Sequence, residues 1–292
     1  MVNIGMIGYN EGNGHPYSFS AIINGYDSES MKKSPYPVIF EYLSRRTDSD
    51  FGIGDFKVTH IWSPDITVSK NIAEAALIPN VVHNFHDLAG KVDVVIIARD
   101  DVESHFALVD FFLKEGLVVF VDKPLCNNIK HLDYFMPYLE KAQLMSGSGL
   151  RYHPDISSSF QNELRKDEIC FVNAISVLDW FKYGIHVLEA VTPIMGYDIE
   201  QVSNLNDKNN TVVKITYKSG QYVLIQIGSK CFNGMKADFY TTNKIFSVKF
   251  DDNFFYFKKM LEAFYQMIVT KQPAIKPMET YHIVKTIIEG AE

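Results

Sequence analysis

Cysteine is scarce in this 292-residue chain, basic residues are outnumbered by acidic ones, and no apolar run is long. The three cysteines, Cys126, Cys170 and Cys231, stand far apart, which argues against a disulfide framework and a paired-cysteine metal site. Cys126 reads as a free thiol filling core space, and no metal is expected. With 28 Lys and Arg against 35 Asp and Glu, the formal charge of −7 has the wrong sign for a nucleic-acid binder. No cluster of basic residues with interleaved aromatics offsets it. No stretch approaches the ~20 apolar residues of a membrane span, and the opening residues lack the basic flank and apolar core of a signal peptide. These absences point to a cytoplasmic protein with a small-molecule partner.

What is present has globular texture: 47% of residues are hydrophobic and 22% charged, at a length suiting one large domain or two ordinary ones. Repeats and low-complexity tracts are missing, so periodicity carries the organisation. Apolar runs at Val2–Ile7, Lys57–Trp62, Val92–Ala98, Leu117–Val121 and Leu144–Gly149 alternate with helical patterns at Tyr17–Ile23, Ile66–Ala76, Ser104–Glu115 and Ile129–Ala142. Such β-branched runs separated by helices predict a Rossmann-type, doubly wound parallel sheet over residues 1–150. The segment between Asn24 and Lys57 is long for an α-to-β connection and includes a helical Val38–Arg46. From Glu168 onward the pattern becomes strands with polar alternation, at Cys170–Leu178, Thr211–Lys218, Gln221–Ser229 and Phe246–Phe250. Ser219-Gly220 is a hairpin signal, and helices are expected at Phe181–Met195 and Phe255–Thr270. Residues 151–292 are thus expected to form a smaller α+β domain with a largely antiparallel open sheet.

A strand that delivers glycines to a helix N-terminus can bind pyrophosphate, because the backbone approaches closely and unpaired N–H groups point at the anion. Gly8, Asn10, Gly12 and Gly14 supply that texture without matching GxGxxG, since Asn10 stands where the second glycine would. An acid normally closes the second strand to accept from the adenosine ribose. Ser63 takes that place here, with Asp65 two residues on and no arginine following. NAD and NADP both remain open, with NAD slightly favoured.

The stretch from Val92 to Asn128 resembles the Gfo/Idh/MocA oxidoreductases, the family of glucose-fructose oxidoreductase and inositol dehydrogenase. Asp122-Lys123-Pro124 is similar to the family's Glu-Lys-Pro at the end of the fifth strand. Ser104-His105, Ser148-Gly149-Leu150-Arg151-Tyr152-His153-Pro154 and Gly184-Ile185-His186 follow in family order. The resemblance implies Lys123 and His186 as catalytic groups acting on a substrate hydroxyl. It further implies a cofactor cleft of Ala98, Arg99, His105, Asp122 and Pro124, with His105 as a packing or capping group. Arg151, Asp179, Lys182 and Tyr183 are then the candidate substrate contacts. Where the family carries an aspartate four residues before the histidine, this chain has Lys182.

The implied activity is hydride transfer between NAD or NADP and a sugar or polyol. Helical spacing puts Asp179, Lys182, Tyr183 and His186 on one face. Lys182, with Arg151 and Arg99, would favour an acidic or nucleotide-linked sugar, unless Asp179 neutralises the lysine. The family resemblance also implies a homodimer or homotetramer, paired through the open sheet. The contrasting reading is a non-catalytic ligand-binding or scaffold protein that keeps the fold, for which Asn10 and Lys182 speak.

Overall fold

A computed structural model of the chain describes residues 1–156, 168–206, 211–228 and 234–291. Cys231 and Ser229, the expected end of one strand, lie outside the described residues. Six strands form the first sheet: β1 (Val2–Ile7), β2 (Phe56–Trp62), β3 (Asn80–Val81), β4 (Val94–Ile97), β5 (Val118–Val121) and β6 (Leu144–Ser146). All pair in parallel, in the order β3-β2-β1-β4-β5-β6. This is the doubly wound order, and its switch point lies between β1 and β4, where such sheets bind ligands. The two central strands are apolar because both faces are covered: all four residues of β4 are buried.

Helix α1 (His15–Asn24) follows β1 and starts two residues earlier than its periodicity suggests, with Pro16 in the first turn and Gly25 at φ 82° closing it. The long 24–57 connection contains α2 (Ser28–Lys32) and α3 (Pro37–Leu43). Helices α4 (Ile66–Ala75), α5 (Val102–Lys114) and α6 (Ile129–Glu140) complete the first layer set.

The second sheet is mixed, in the order β12-β11-β7-β10-β9-β8. Its strands are β7 (Ile169–Ser176), β8 (Ile199–Asn204), β9 (Thr211–Tyr217), β10 (Tyr222–Ile227), β11 (Met235–Thr241) and β12 (Ile245–Phe250). Only β7 and β10 run parallel, and the β9–β10 hairpin turns at the expected Ser219-Gly220, where Gly220 adopts φ 84°. Periodicity misses β8, a half-exposed edge strand, and β11, whose Lys236 and Asp238 mask the buried Ala237 and Phe239. Val213, Ile215, Tyr217, Val223 and Ile225 are buried on one face, so they do not form an apolar patch open to a partner. The other face carries Phe171 stacked between Tyr222 and Tyr240, at 5.2 and 4.4 Å between ring centroids, beside Lys214.

Helix α7 (Ile185–Met195) is buried along nearly its whole length against the second sheet. Two helices then close the chain: α8 (Asn253–Thr270), and α9 (Pro277–Glu289), which sequence reading passes over. Phe257, Leu261 and Phe264 of α8 pack in the same core as Phe19 and Phe120 of the first layer set, which brings α8 to the mouth of the switch-point crevice.

Candidate active site

Asp122 and Lys123 leave the carboxyl end of β5 buried, with 1% and 2% of their surfaces exposed. Burial pushes the Asp122 carboxyl up, but the adjoining His15 and Lys123 overcome this and hold it well below the ordinary carboxylate range. One Asp122 oxygen accepts from the Lys123 N–H at 2.9 Å, and the other meets the His15 Nδ1 and Asn13 Nδ2, the latter at 3.4 Å. Lys123 Nζ donates to the Lys182 carbonyl at 2.9 Å and lies 5.1 Å from the Tyr183 ring centroid. Its ammonium thus bridges the first domain to the segment entering α7.

That segment is not the regular helix its spacing suggests. Trp180–Gly184 forms a π-helical turn before α7, and Asp179 precedes it as the cap, accepting from the Lys182 N–H at 2.7 Å. Asp179 therefore neither shares the helix face nor pairs with the Lys182 ammonium. Lys182 Nζ instead reaches Asp100 at 3.4 Å. Tyr183 and His186 turn inward, to a cavity of about 220 Å³ that they line with Gly12, His15, Tyr36 and Phe257. A Cβ on Gly14 would stand 2.6 Å from Ile39 and 2.9 Å from Tyr36, side chains through which the 24–57 segment walls this cavity, so a larger residue there would push them aside.

His186 Nδ1 lies 2.6 Å from Ser148 Oγ. Burial, and then the charge of Lys123, push its pKa well below 6.5. The unfolded chain therefore protonates first, so this contribution to stability is whole above about pH 6.5 and drains as the pH falls below it, by at most ~1.4 kcal/mol per pH unit. His60 and His153, lowered by burial, add to the same slope. His186→Gln should make the decline of the urea midpoint below about pH 6.5 shallower; an unchanged slope would show that His186 is not held neutral.

The three cations expected to attract an acidic substrate all have carboxylate partners. Lys182 pairs with Asp100, while Arg99 binds Asp101 through Nε and Nη2 at 2.8 and 2.5 Å. Arg151 is buried between Glu189 at 2.6 Å and Glu279 at 2.8 Å. His105 is fully buried, with its ring nitrogens on the carbonyls of Pro124 and Arg99, so it ties the loops after β4 and β5 together. Cys126 is a buried free thiol whose pKa burial pushes up to about 12, and an inert core role follows.

At the glycine loop, Asn10 exchanges two hydrogen bonds with Asp100, at 2.6 and 3.1 Å, and Arg99 donates to the Tyr9 carbonyl at 2.9 Å. No side chain caps α1 at Gly14, and a Cβ on Gly12 would meet nothing within 4 Å. Asn13 Oδ1 accepts from the His15 N–H at 2.8 Å and Pro16 has no N–H to offer, so the open glycine turn, more than a free helix end, suits the pyrophosphate of a dinucleotide. At the ribose end, Ser63 Oγ is engaged with the Asp65 carbonyl and Ser69, while the Asp65 carboxylate caps α4 through the Thr67 N–H. Ala98 is fully buried, its N–H on the Ile7 carbonyl.

Sequence reading missed His15, Asn13, Asp100 and Ser148. His15 and Asn13 flank the glycines on which attention fell, and their position gave a signal. Asp100 and Ser148 meet their partners 82 and 38 residues away in the chain, which no spacing reveals.

Known proteins share this fold. The Gfo/Idh/MocA family, an oxidoreductase family with a NAD-binding Rossmann fold, matches residues 2–149. An oxidoreductase named YceM, from Salmonella typhimurium, is 33% identical over 95 residues, covering 32% of this chain and 30% of that relative's length. The dehydrogenase MviM from Clostridium difficile superposes with a TM-score of 0.71 at 17% identity, over 98% of this chain and 97% of its own. Scyllo-inositol dehydrogenase from Lactobacillus casei, solved with NAD(H) and scyllo-inositol, gives 0.71 at 12% identity, covering 99% and 95%. UDP-N-acetylglucosamine 3-dehydrogenase GnnA from Acidithiobacillus ferrooxidans gives 0.73 at 12% identity, covering 99% and 96%. Likeness at these identities establishes the fold, and the match over the first half, with a buried lysine beside the switch point, assigns the chain to the Gfo/Idh/MocA oxidoreductase family.

Proposed function

We propose that this protein is a nicotinamide-dependent dehydrogenase acting on a ring hydroxyl of a neutral sugar or polyol, with NAD favoured as cofactor. The observation that carries the reading is Lys123, a buried ammonium at the carboxyl end of β5, close enough to the cavity histidine to depress its pKa. The backbone around Gly12 and Gly14 would hold the pyrophosphate, and a bound nicotinamide would supply the hydride acceptor or donor. Lys123 then orients the reacting oxygen and stabilises negative charge developing on it. His186, kept neutral and braced by Ser148, hydrogen-bonds a substrate hydroxyl, and Tyr183 and Phe257 exclude water from the reacting atoms. No arginine follows Ser63 to draw a 2′-phosphate, which supports NAD.

Neutrality of the substrate follows from the paired cations. A field that selects anions needs unpaired charge, and Asp100, Asp101, Glu189 and Glu279 each neutralise a candidate. The cavity also falls below the ~300–1,000 Å³ typical of drug-sized sites, which suits one ring more than a nucleotide-linked sugar. The acidic alternative keeps one supporting observation, the long 3.4 Å contact of Lys182 with Asp100, which an anion could displace.

NADH fluorescence titration followed by turnover with matched neutral and anionic sugars tests this reading. Binding of NADH, turnover of the neutral member and a KM little changed by Lys182→Ala are expected. Preference for the anionic member, lost in Lys182→Ala, would restore the acidic reading, and absence of cofactor binding would leave a non-catalytic scaffold.

A further inference from the structure

We propose that His15, backed by Asp122, is the group that takes the proton from the reacting hydroxyl and returns it in the reverse direction; this rests on the dehydrogenase reading above. Two histidines line the cavity, and their partners differ. His186 sits on a serine hydroxyl, buried and within the field of the Lys123 charge, where a proton is unwelcome. His15 has its Nδ1 on the Asp122 carboxylate instead. A carboxylate there fixes the proton on Nδ1, leaves the lone pair on Nε2, and stabilises the imidazolium that forms when Nε2 accepts a proton.

The ring is also held in place. It stacks on Phe19 at 4.8 Å between centroids and meets the edge of Phe257 at 5.1 Å. A histidine placed only for packing needs no buried carboxylate, since a charged group with 1% exposure is costly unless several donors meet it. Asp122 has His15, Asn13 and the Lys123 backbone as donors, and the first two come from the loop that opens α1. The end of β5 thus carries two devices: Lys123, and the acid that aims His15.

In the oxidative direction the carbinol C–H hydrogen leaves with its electron pair to the nicotinamide, which is reduced. The O–H bond breaks with its proton going to His15 Nε2, and the C–O bond becomes C=O. Reduction runs the same transfers backward, with protonated His15 as the donor. His186 serves as a neutral hydrogen-bonding partner.

Carbethoxylation by diethyl pyrocarbonate, followed for each histidine by peptide mass spectrometry, tests this without a known substrate. His15 should react faster than His186, and Asp122→Asn should slow His15 while the far-UV circular dichroism stays unchanged. A His15 slower than His186, or one that keeps its rate in Asp122→Asn, overturns the proposal while leaving NADH binding, and hence the dehydrogenase reading, intact. A wild-type protein that binds no NADH removes both. If Asp122→Asn does not fold, His15→Gln decides: NADH still bound with turnover of an inositol panel about 100-fold lower, partly restored by added imidazole, is expected, and wild-type turnover overturns the proposal.

Discussion

Replacing Lys123 by Met is expected to lower turnover by about 10²–10³-fold, because it removes the buried donor that meets charge developing on the substrate oxygen. Methionine keeps the length and most of the volume of the stem, so the loss is of charge and hydrogen bond rather than packing. The same change removes one of the forces that depress His186, so the His186 ring should titrate closer to 6.5 in the variant. NADH affinity, set mainly at the glycine loop, should change far less than kcat. Steady-state kinetics and histidine NMR on the variant check both parts. Turnover within a few-fold of wild type would show that Lys123 only joins the two domains through the Lys182 carbonyl.

The largest stability effect is expected at Arg151. Its side chain is about 10% exposed and its charge is matched by Glu189, 2% exposed, and by Glu279. Arg151→Ala leaves the Glu189 carboxylate buried without a counter-charge, a change that costs about 3–5 kcal/mol in comparable pairs. Burial already pushes the Glu189 pKa up against the pull of Arg151, so the acid will take a proton in the variant. A raised folded pKa contributes stability that is whole below the unfolded value, 4.5, and lost as the pH rises through the folded one. The deficit of Arg151→Ala should therefore be smallest below about pH 4.5 and grow toward neutrality. Arg151→Met combined with Glu189→Leu should recover much of the loss, since replacing both partners by apolar groups removes the stranded charge. Urea unfolding of the two variants at several pH values measures all of this, and a deficit independent of pH would locate the cost in lost packing.

Much of the architecture was legible because it depends on patterns that neighbouring residues carry. The β-branched runs of β1, β4 and β5 are apolar on both faces, so a covered parallel sheet followed directly, and Ser219-Gly220 announced its hairpin. Asp122-Lys123-Pro124 was legible through its resemblance to the family's Glu-Lys-Pro, and its place directly after a buried parallel strand puts it at the sheet's ligand edge. Strands β8 and β11 were not, since polar side chains on an edge or an open face dilute the alternation that marks a strand. Nor was the π-helical turn at Trp180–Gly184, which shifts Asp179 off the face where a regular helix would hold it.

Which charges are free is a tertiary property. Lys182, Arg99 and Arg151 look alike in sequence as cations near a cleft, yet each meets a carboxylate in the fold, and three of the four ion pairs join residues 38, 82 and 128 positions apart in the chain. Electrostatic energy depends on separations of a few ångströms and on burial, and neither quantity is encoded in spacing along the chain. By itself the sequence pointed to a Rossmann sheet and a second α+β domain with a largely antiparallel sheet, and through its family resemblance to Lys123 at the crevice. Only the tertiary structure decided that the cleft's cations are neutralised, that His186 is held uncharged, and that His15 rests on Asp122, 107 residues away in the chain.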